Sequence, residues 1–165
     1  MKGAKNFSKF WILILVLLTV GCDQVSKELT RTKVKPREFI SVFGEHFILT
    51  NVENTGAILG FGQHFPPIVK RIFLQGLPLL ILLVLLYRIL TKPYLNLLLL
   101  IAFALVIGGG IGNLIDRIAH GSVTDFFQIR LGFFRTGIFN IADVAVTTGV
   151  LILLFLLAKG RKLAI

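Results

Sequence analysis

Charged side chains are scarce in this sequence. They make up 16% of its 165 residues, whereas 55% are hydrophobic, and soluble domains carry about a quarter charged residues. The chain therefore lacks the polar surface that a water-soluble globule needs, and a mean hydropathy of +0.85 excludes a disordered protein. The composition indicates a single-domain integral membrane protein.

Cysteine and metal-ligand patterns are almost absent. Cys22 is the single cysteine, which excludes a disulfide framework and a cysteine-rich metal site. The three histidines lack metal-ligand spacing, and no His-Glu-x-x-His motif occurs. We therefore expect no metal.

Acidic residues are few, with 8 against 18 basic residues and a net charge of +10. No basic stripe is interleaved with aromatic residues, so the sequence predicts no nucleic-acid partner. The positive charge instead suits attraction to the anionic headgroups of membrane lipids.

Four long runs of apolar residues are what the sequence has in place of charge. They predict membrane spans at about 8–27, 68–88, 94–115 and 137–158 in one integral membrane domain, with outer loops at 28–67 and 116–136 and a short turn near 91–93. The first run is short, and with the lipobox-like Val20-Gly21-Cys22 it also fits a cleaved signal or a lipoprotein anchored at Cys22. We favour an uncleaved first helix in which Cys22 is a small buried residue.

The charge distribution predicts an orientation. The side that bears both termini has short segments rich in lysine and arginine and no acid, whereas the side that bears the two outer loops has every acid. Short, basic flanks mark the cytoplasmic side. We therefore expect both termini in the cytoplasm.

The outer loops have β-sheet patterns. Residues 38–44 and 45–51 predict two strands joined near Gly44, and residues 121–139 predict short strands that turn near Leu131-Gly132. The glycine-rich stretch 54–62 is interpreted as a flap or as a helix that dips into the membrane interface. This apolar β-platform is expected to contact lipid or an apolar ligand.

Four aspartates lie on the side of the outer loops. Ionisable residues within membrane spans are functional candidates, and Asp143 lies in the fourth span, about 24 Å along the helix from Lys159. Asp23 and Asp116 end other spans. Two close carboxylates share one proton, a state suited to peptide hydrolysis. The alternative is a small channel or proton-coupled carrier that uses Asp23, Asp116 and Asp143 as a proton relay.

Each aspartate also has a structural interpretation. Asp116 is expected to pair with the adjacent Arg117, and Asp23 with Lys27 four residues on. By composition alone, Asp125 is a solvated loop acid. Gly108 and Gly112 are expected to admit a neighbouring helix, and Asn113 beside them needs a polar partner within the membrane.

Five motifs in order carry a family resemblance. They are Asp23-Gln-x-x-Lys27, Asn54-x-Gly56-Ala57, Gly-Gly-x-x-Gly112-Asn113-Leu-Ile-Asp116-Arg117, Val123-Thr-Asp125-Phe126 and Phe139-Asn140-Ile-Ala142-Asp143. Together they resemble lipoprotein signal peptidase, the type II signal peptidase of bacteria, over nearly the whole chain.

The resemblance implies a function and a site. It implies a cofactor-free membrane aspartyl endopeptidase that cuts diacylglyceryl-modified prolipoproteins before the lipid-modified cysteine, at the extracytoplasmic face of the bacterial inner membrane. Asp125 and Asp143 would be catalytic. The substrate-binding or supporting residues would be Asn54, Gly56, Asn113, Asp116, Arg117, Asn140, Asp23 and Lys27. The implied fold is an all-α membrane protein, a monomer with a four-transmembrane-helix bundle, a small extracytoplasmic β-cradle and a flap.

Overall fold

Four helices form the body of the molecule. The computed structural model describes residues 2–57, 60–91 and 96–160, with side chains from Phe10 onward. The helices in this part of the chain are α1 (Lys2–Lys33), α2 (Pro67–Thr91), α3 (Leu97–Ala119) and α4 (Ile141–Ala158). Each has a segment long and apolar enough to cross a membrane. The predicted four-helix membrane fold is confirmed, and the turn predicted near 91–93 lies partly outside the described residues.

Helix α1 continues well beyond the expected end of the first span. It runs through Asp23 and Lys27 to Lys33. The two charges at i and i+4 form an ion pair with each other, so neither one interrupts the helix. Cys22, interpreted above as a buried residue, is instead exposed on the outer surface of the helix, where a small apolar side chain suits lipid.

Helix α2 contains an irregularity beside the candidate site. Proline occupies its first turn at Pro67, where no intrahelical N–H bond is lost. The helix widens into a π-helical segment at Arg71–Gly76. Within that segment, Gln75 donates from its amide to the carbonyl of Arg117 on α3 at 3.0 Å. This bond joins α2 to the end of α3 that bears Asp116.

A four-stranded antiparallel sheet stands at one end of the bundle. Its strands are β1 (Phe39–Phe43), β2 (Phe47–Asn54), β3 (Val123–Leu131) and β4 (Phe134–Arg135), in that spatial order. The hairpins turn at Gly44 and Gly132, whose φ angles of 54° and 59° suit glycine. Both predicted strand pairs are therefore confirmed.

Helix α3 is the central helix, because glycines allow its neighbours to approach closely. A Cβ atom on Gly108 would lie 2.7 Å from the Cβ of Thr19 on α1. One on Gly112 would overlap Asp23 on α1, and one on Gly109 would overlap the backbone of Ala142 on α4. The predicted small-residue groove is confirmed, and it brings the three helices together at the end that meets the sheet.

The glycine-rich stretch after β2 is irregular in its described parts. Gly56 is enclosed by backbone, since a Cβ there would lie 2.6 Å from the carbonyl oxygen of Phe61. Ala57 donates from its amide to that same oxygen at 2.7 Å, which closes a compact loop. Ile58 and Leu59, within the predicted flap, lie outside the described residues.

Candidate active site

Asp143 lies in the first turn of α4. Its Oδ1 accepts a hydrogen bond from Asn113 Nδ2 at 2.8 Å, and its Oδ2 accepts one from the backbone nitrogen of Asn140 at 3.2 Å. Asn140 is the N-cap of α4 and accepts from the Asp143 backbone nitrogen at 2.9 Å. This reciprocal capping box places a half-buried carboxylate at the positive end of a helix.

Asp125 lies on β3 and is buried, with only 3% of its surface exposed. The interpretation as a solvated loop acid is therefore wrong, because β3 pairs with β2 along its length and its first residues are buried. Its Oδ1 accepts from Asn140 Nδ2 at 2.7 Å, and its Oδ2 from Asn54 Nδ2 at 3.0 Å.

Asn140 links the two carboxylates. Its side-chain nitrogen donates to Asp125, while its backbone nitrogen donates to Asp143. The same side-chain nitrogen lies 3.1 Å from Asn113 Oδ1, and Asn113 in turn donates to Asp143. The structure thus joins Asp125 and Asp143 through two amide side chains, with Asn140 fully buried between them.

Asp125 has an environment that retains a proton. The pKa of Asp125 is raised to about 7, mainly by burial and also by the nearby charge of Asp143, against the hydrogen bonds from Asn54 and Asn140 and the charge of Lys27, which lower it. Asp125 is therefore about half protonated near neutral pH. A site with one protonated and one ionised carboxyl can both donate and accept a proton.

Asp23, Lys27 and Asp116 form a buried ion network behind this pair. Lys27 Nζ lies 2.7 Å from Asp23 Oδ2 and 3.3 Å from Asp116 Oδ2, and all three side chains are fully buried. Lys27 also donates to Asn113 Oδ1 at 3.0 Å. The predicted Asp23–Lys27 pair is confirmed. In the described part of the chain, no cluster of three or more His, Cys, Asp or Glu residues could hold a metal ion.

Asp116 does not have the ion-pair partner that the sequence indicated. Its carboxylate pairs with Lys27 and with Arg31 Nη2, the latter at 2.9 Å, rather than with the adjacent Arg117. Neighbouring residues on a helix point in different directions, which separates Asp116 from Arg117. Asp116 also accepts from the Thr124 backbone nitrogen at 3.1 Å, so it anchors the start of β3 one residue before Asp125.

Arg117 connects α3 to the loop after β2. Its Nη2 donates to the carbonyl of Gly56 at 3.0 Å, and its Nε is buried with no hydrogen-bond partner in the described part of the chain. The side-chain oxygen of Asn54 accepts from the Gly56 nitrogen at 2.9 Å. Asn54, Gly56 and Arg117 therefore form one wall of the site.

A cleft of about 230 Å³ opens beside Asp125. The lining comes from the end of β2, the loop that follows it and the segment before α4. Its residues besides Asp125 are Val52, Glu53, Asn54, Thr55, Gly60, Gln63, Gly137 and Ile138. The cleft places strand and loop backbone beside the carboxylates of Asp125 and Glu53, an arrangement that suits an extended peptide.

Four further polar residues support the site and had no role in the sequence analysis. Arg31 Nε donates to Thr124 Oγ1 at 2.8 Å, and that hydroxyl donates to Glu53 Oε1 at 2.7 Å. Gln24 donates to the carbonyl of Gly112 at 3.1 Å. Gln24 lies within the first motif and Thr124 within the fourth, so only Arg31 and Glu53 had no signal at all.

The ten residues predicted for the site form one connected cluster. The four aspartates among them lie at the sheet end of the bundle, on α1, α3, β3 and α4. Asp23 Oδ1 accepts from the backbone nitrogen of Ala142, beside Asp143, at 2.9 Å. This arrangement is a single site rather than a series of carboxylates along the length of a membrane span.

Comparison with known proteins identifies a matching family. Residues 15–159 match the family described as signal peptidase (SPase) II. The chain is 38% identical over 156 residues to the lipoprotein signal peptidase of Moorella thermoacetica, covering 91% of this chain and 95% of that protein. It is 40% identical over 149 residues to the lipoprotein signal peptidase of Pelodictyon phaeoclathratiforme, covering 85% of each.

Two solved structures have the same fold. Each is described as a bacterial membrane enzyme structure determined by the in meso method. One has a TM-score of 0.81 and 28% identity, covering 93% of this chain and 91% of that one. The other has a TM-score of 0.78 and 29% identity, covering 90% and 92%. With its four membrane-spanning helices and its match over almost the whole length, the chain belongs to the signal peptidase II family, a family of multi-pass bacterial membrane peptidases.

Proposed function

We propose that this protein is an aspartic-type signal peptidase that removes the signal peptide from diacylglyceryl-modified prolipoproteins, cutting before the lipid-modified cysteine. The observation that carries this proposal is the placement of Asp125 and Asp143 on two sides of Asn140, which donates to both carboxylates. The names of the relatives, which are lipoprotein signal peptidases, support the substrate class.

The two aspartates have different roles in this mechanism. Asp143 faces two N–H donors and the positive end of α4, which suits a negative charge. It is the base that takes a proton from water. Asp125, protonated in part because burial raises its pKa to about 7, donates its proton to the scissile carbonyl. Water, which has given a proton to Asp143, attacks the polarised carbon to form a gem-diol. The diol collapses as Asp143 passes its proton to the leaving amine and a diol hydroxyl returns a proton to Asp125, so both carboxyls regain their starting states.

The substrate is positioned by the wall opposite α4. Asn54 holds Asp125 and shapes the loop at Gly56. The buried Nε of Arg117 is a free donor, within the described residues, for a peptide carbonyl. Asn113, Asp116, Asp23 and Lys27 support the dyad from behind through ion pairs and amide contacts.

Position in the membrane follows from the ends of the helices. The site lies at the sheet end of the bundle, whereas Arg88 and Lys159 lie near the opposite ends of α2 and α4. Short basic flanks mark the cytoplasmic side, so the site faces the extracytoplasmic side and both termini are cytoplasmic. A monomer in contact with membrane lipid meets its lipid-anchored substrate by lateral diffusion.

The proposal is tested by substituting each aspartate in the full-length protein. The purified protein is assayed in detergent for cleavage of a diacylglyceryl-modified prolipoprotein, with Asp125→Asn and Asp143→Asn alongside. Each variant should lose at least about 10³-fold in kcat, because each removes one member of the proton-transfer pair. The unmodified precursor should be a poor substrate.

The matched control is Glu28→Gln, which removes an exposed carboxylate on α1 and should retain full activity. Thermal unfolding shows whether each variant is folded. Full activity in either folded aspartate variant would refute the dyad, and an inactive wild type on modified substrate would refute the peptidase assignment itself.

A further inference from the structure

The sheet has a second functional face, opposite the one that bears Asp125. Successive side chains on a strand point to opposite faces, so Asp125 and Phe127 share one face of β3, while Gln128 and Arg130 share the other. Contacts agree with this, because the ring of Phe127 lies 4.9 Å from that of Phe47 on the Asp125 face. A cavity beside Arg130 shares no lining residue with the cleft beside Asp125, although Thr124, at the other end of the Arg130 face, supports the candidate active site.

This cavity on the Arg130 face has a volume of about 420 Å³. It lies between the first hairpin and the short hairpin of β3 and β4. Its polar lining comes from Arg130, Arg135, His46, Ser41 and Glu45. Two guanidinium groups against one carboxylate make this cavity electropositive.

Arg130 and Arg135 are directly opposite each other in the β3–β4 pairing. Like charges at opposed positions of a sheet destabilise it. Among the described residues, neither arginine has a carboxylate within 4.0 Å. Arg130 is nevertheless oriented, since its Nε donates to Gln128 Oε1 at 2.8 Å and its guanidinium lies 5.5 Å from the ring of Phe39. A bound anion would supply the missing negative charge.

Exposed apolar side chains lie near this charged cavity, on both faces of the sheet. Leu131 and its strand partner Phe134 share the Asp125 face, and Phe39 lies on the Arg130 face. Leu131, Phe133 and Phe134 at the tip of the second hairpin are exposed, as is Phe39 beside Arg130. Aromatic and basic residues side by side are typical of segments at a membrane surface. This combination of basic and apolar side chains suits an anionic group that is attached to an apolar group.

We propose that this cavity binds the phosphate of an anionic phospholipid headgroup, with Arg130 and Arg135 on the phosphate oxygens and the apolar tip of the hairpin against the lipid chains. Guanidinium groups match phosphate geometry in pairs of hydrogen bonds. The diacylglyceryl group of the proposed substrate has no phosphate, so this ligand is a bilayer lipid. The contact holds the tip of the second hairpin against the membrane surface and leaves the cleft beside Asp125, which contains no residue of that tip, free for peptide.

Native mass spectrometry of the full-length protein in detergent tests this site. Phosphatidylglycerol is the probe, and diacylglycerol and inorganic phosphate are the comparison ligands. The double variant Arg130→Gln/Arg135→Gln should bind phosphatidylglycerol at least about tenfold more weakly, because it loses charge-assisted hydrogen bonds. The matched control, Lys33→Gln/Lys35→Gln, removes two exposed charges outside the cavity and should bind as the wild type does.

A second substitution is expected to strengthen lipid binding. A folding defect would weaken binding, so this result does not depend on how well the arginine variant folds. Glu45→Gln removes the one carboxylate of the lining and should tighten phosphatidylglycerol binding. Asp143→Asn should bind as the wild type does, which separates this proposal from the peptidase mechanism.

Two results with the comparison ligands would overturn the proposal, and so would three results with the variants. Those with the variants are unchanged binding in the arginine double variant, equal weakening in the lysine control, and weaker or unchanged binding in Glu45→Gln. Displacement of the lipid by an equal concentration of inorganic phosphate would show a site for free anions instead, and equal binding of diacylglycerol would show that phosphate is not recognised.

Discussion

At the scale of single residues, Asn140 performs two tasks that are usually separate. It caps α4 through the Asp143 backbone nitrogen, and it donates to Asp125 from its side chain. A cap alone contributes about 1 kcal/mol to stability. The contacts of Asn140 with the two carboxylates are instead expected to affect the reaction rate. Measurements of stability and of activity can therefore separate the two contributions.

Asn140→Ala should lower kcat by about 10²-fold, the usual effect of removing one preorganised donor from an active site. Asn96 offers a matched control, because it caps α3 by accepting from the Leu98 backbone nitrogen at 2.8 Å and is remote from the aspartates. Asn96→Ala should lose a similar amount of stability and no activity. Steady-state kinetics and thermal unfolding of both variants provide the comparison. If kcat were the same for Asn140→Ala as for Asn96→Ala, the bridging role of Asn140 would be contradicted.

The pH dependence of cleavage should report the proton on Asp125. Because its pKa is raised to about 7, kcat/KM should fall about tenfold per pH unit above pH 7 as the acid form is lost. The same raised pKa means that its contribution to stability is complete below the unfolded pKa of about 3.9 and is lost as pH rises through about 7. A pH–rate profile that stays flat from pH 6 to 9 would exclude Asp125 as the acid.

At the scale of secondary-structure elements, close helix contacts position the dyad. Asp143 lies one residue after Ala142, whose backbone packs against Gly109 of α3. Thr124 joins the sheet to α1 and α3, since it bonds both Arg31 and Asp116. The positions of Asp125 on β3 and Asp143 on α4, the proposed catalytic residues, therefore depend on contacts with α3, on which neither of them lies.

Gly109→Ala should lower activity at least about tenfold, because its Cβ would overlap the carbonyl of Ala142 and displace the first turn of α4. Gly21 on α1 is the control, since a Cβ there meets nothing within 4 Å. Gly21→Ala should retain activity and gain up to about 1 kcal/mol of stability from helix propensity. Both variants are compared by cleavage rate and by unfolding temperature, and an active Gly109→Ala would show that the contact can yield without moving Asp143.

At the scale of the whole molecule, buried charge joins the helices. Lys27 of α1 neutralises Asp23 of the same helix and Asp116 of α3, with no exposed surface on any of them. Buried pairs of this kind are strongly destabilising when one partner is removed, since the other charge remains buried and unpaired.

Lys27→Met should lower the free energy of unfolding by about 3–5 kcal/mol, measured by denaturant unfolding in detergent. Adding Asp23→Asn should recover part of that loss, because Asp23 has no other cationic partner among the described residues, whereas Asp116 keeps its pair with Arg31. If Lys27→Met alone were as stable as the wild type, this would show that the aspartates readily take up protons when the lysine charge is lost.

Local patterns in the sequence predicted most of the elements and much of the membership of the site. Apolar runs without charge indicated the helices, because a backbone within a bilayer must satisfy its own hydrogen bonds. Gly44 and Gly132 marked the hairpins, because each turn needs a positive φ. The motifs pointed to the ten site residues through resemblance, without showing how they meet.

Composition and charge placement were enough to indicate a membrane bundle with its acids at one end, because they decide what a bilayer accepts. The burial of Asp125, the pairing of Asp116 with Lys27 and Arg31, and the link through Asn140 between the two aspartates emerge only from the folded arrangement. Asn54 and Asp125 are 71 residues apart in the chain. Contacts between residues so far apart depend on strand pairing and helix packing, which local sequence patterns do not encode. The same contacts set the local polarity, and the protonation state of an aspartate depends on that polarity.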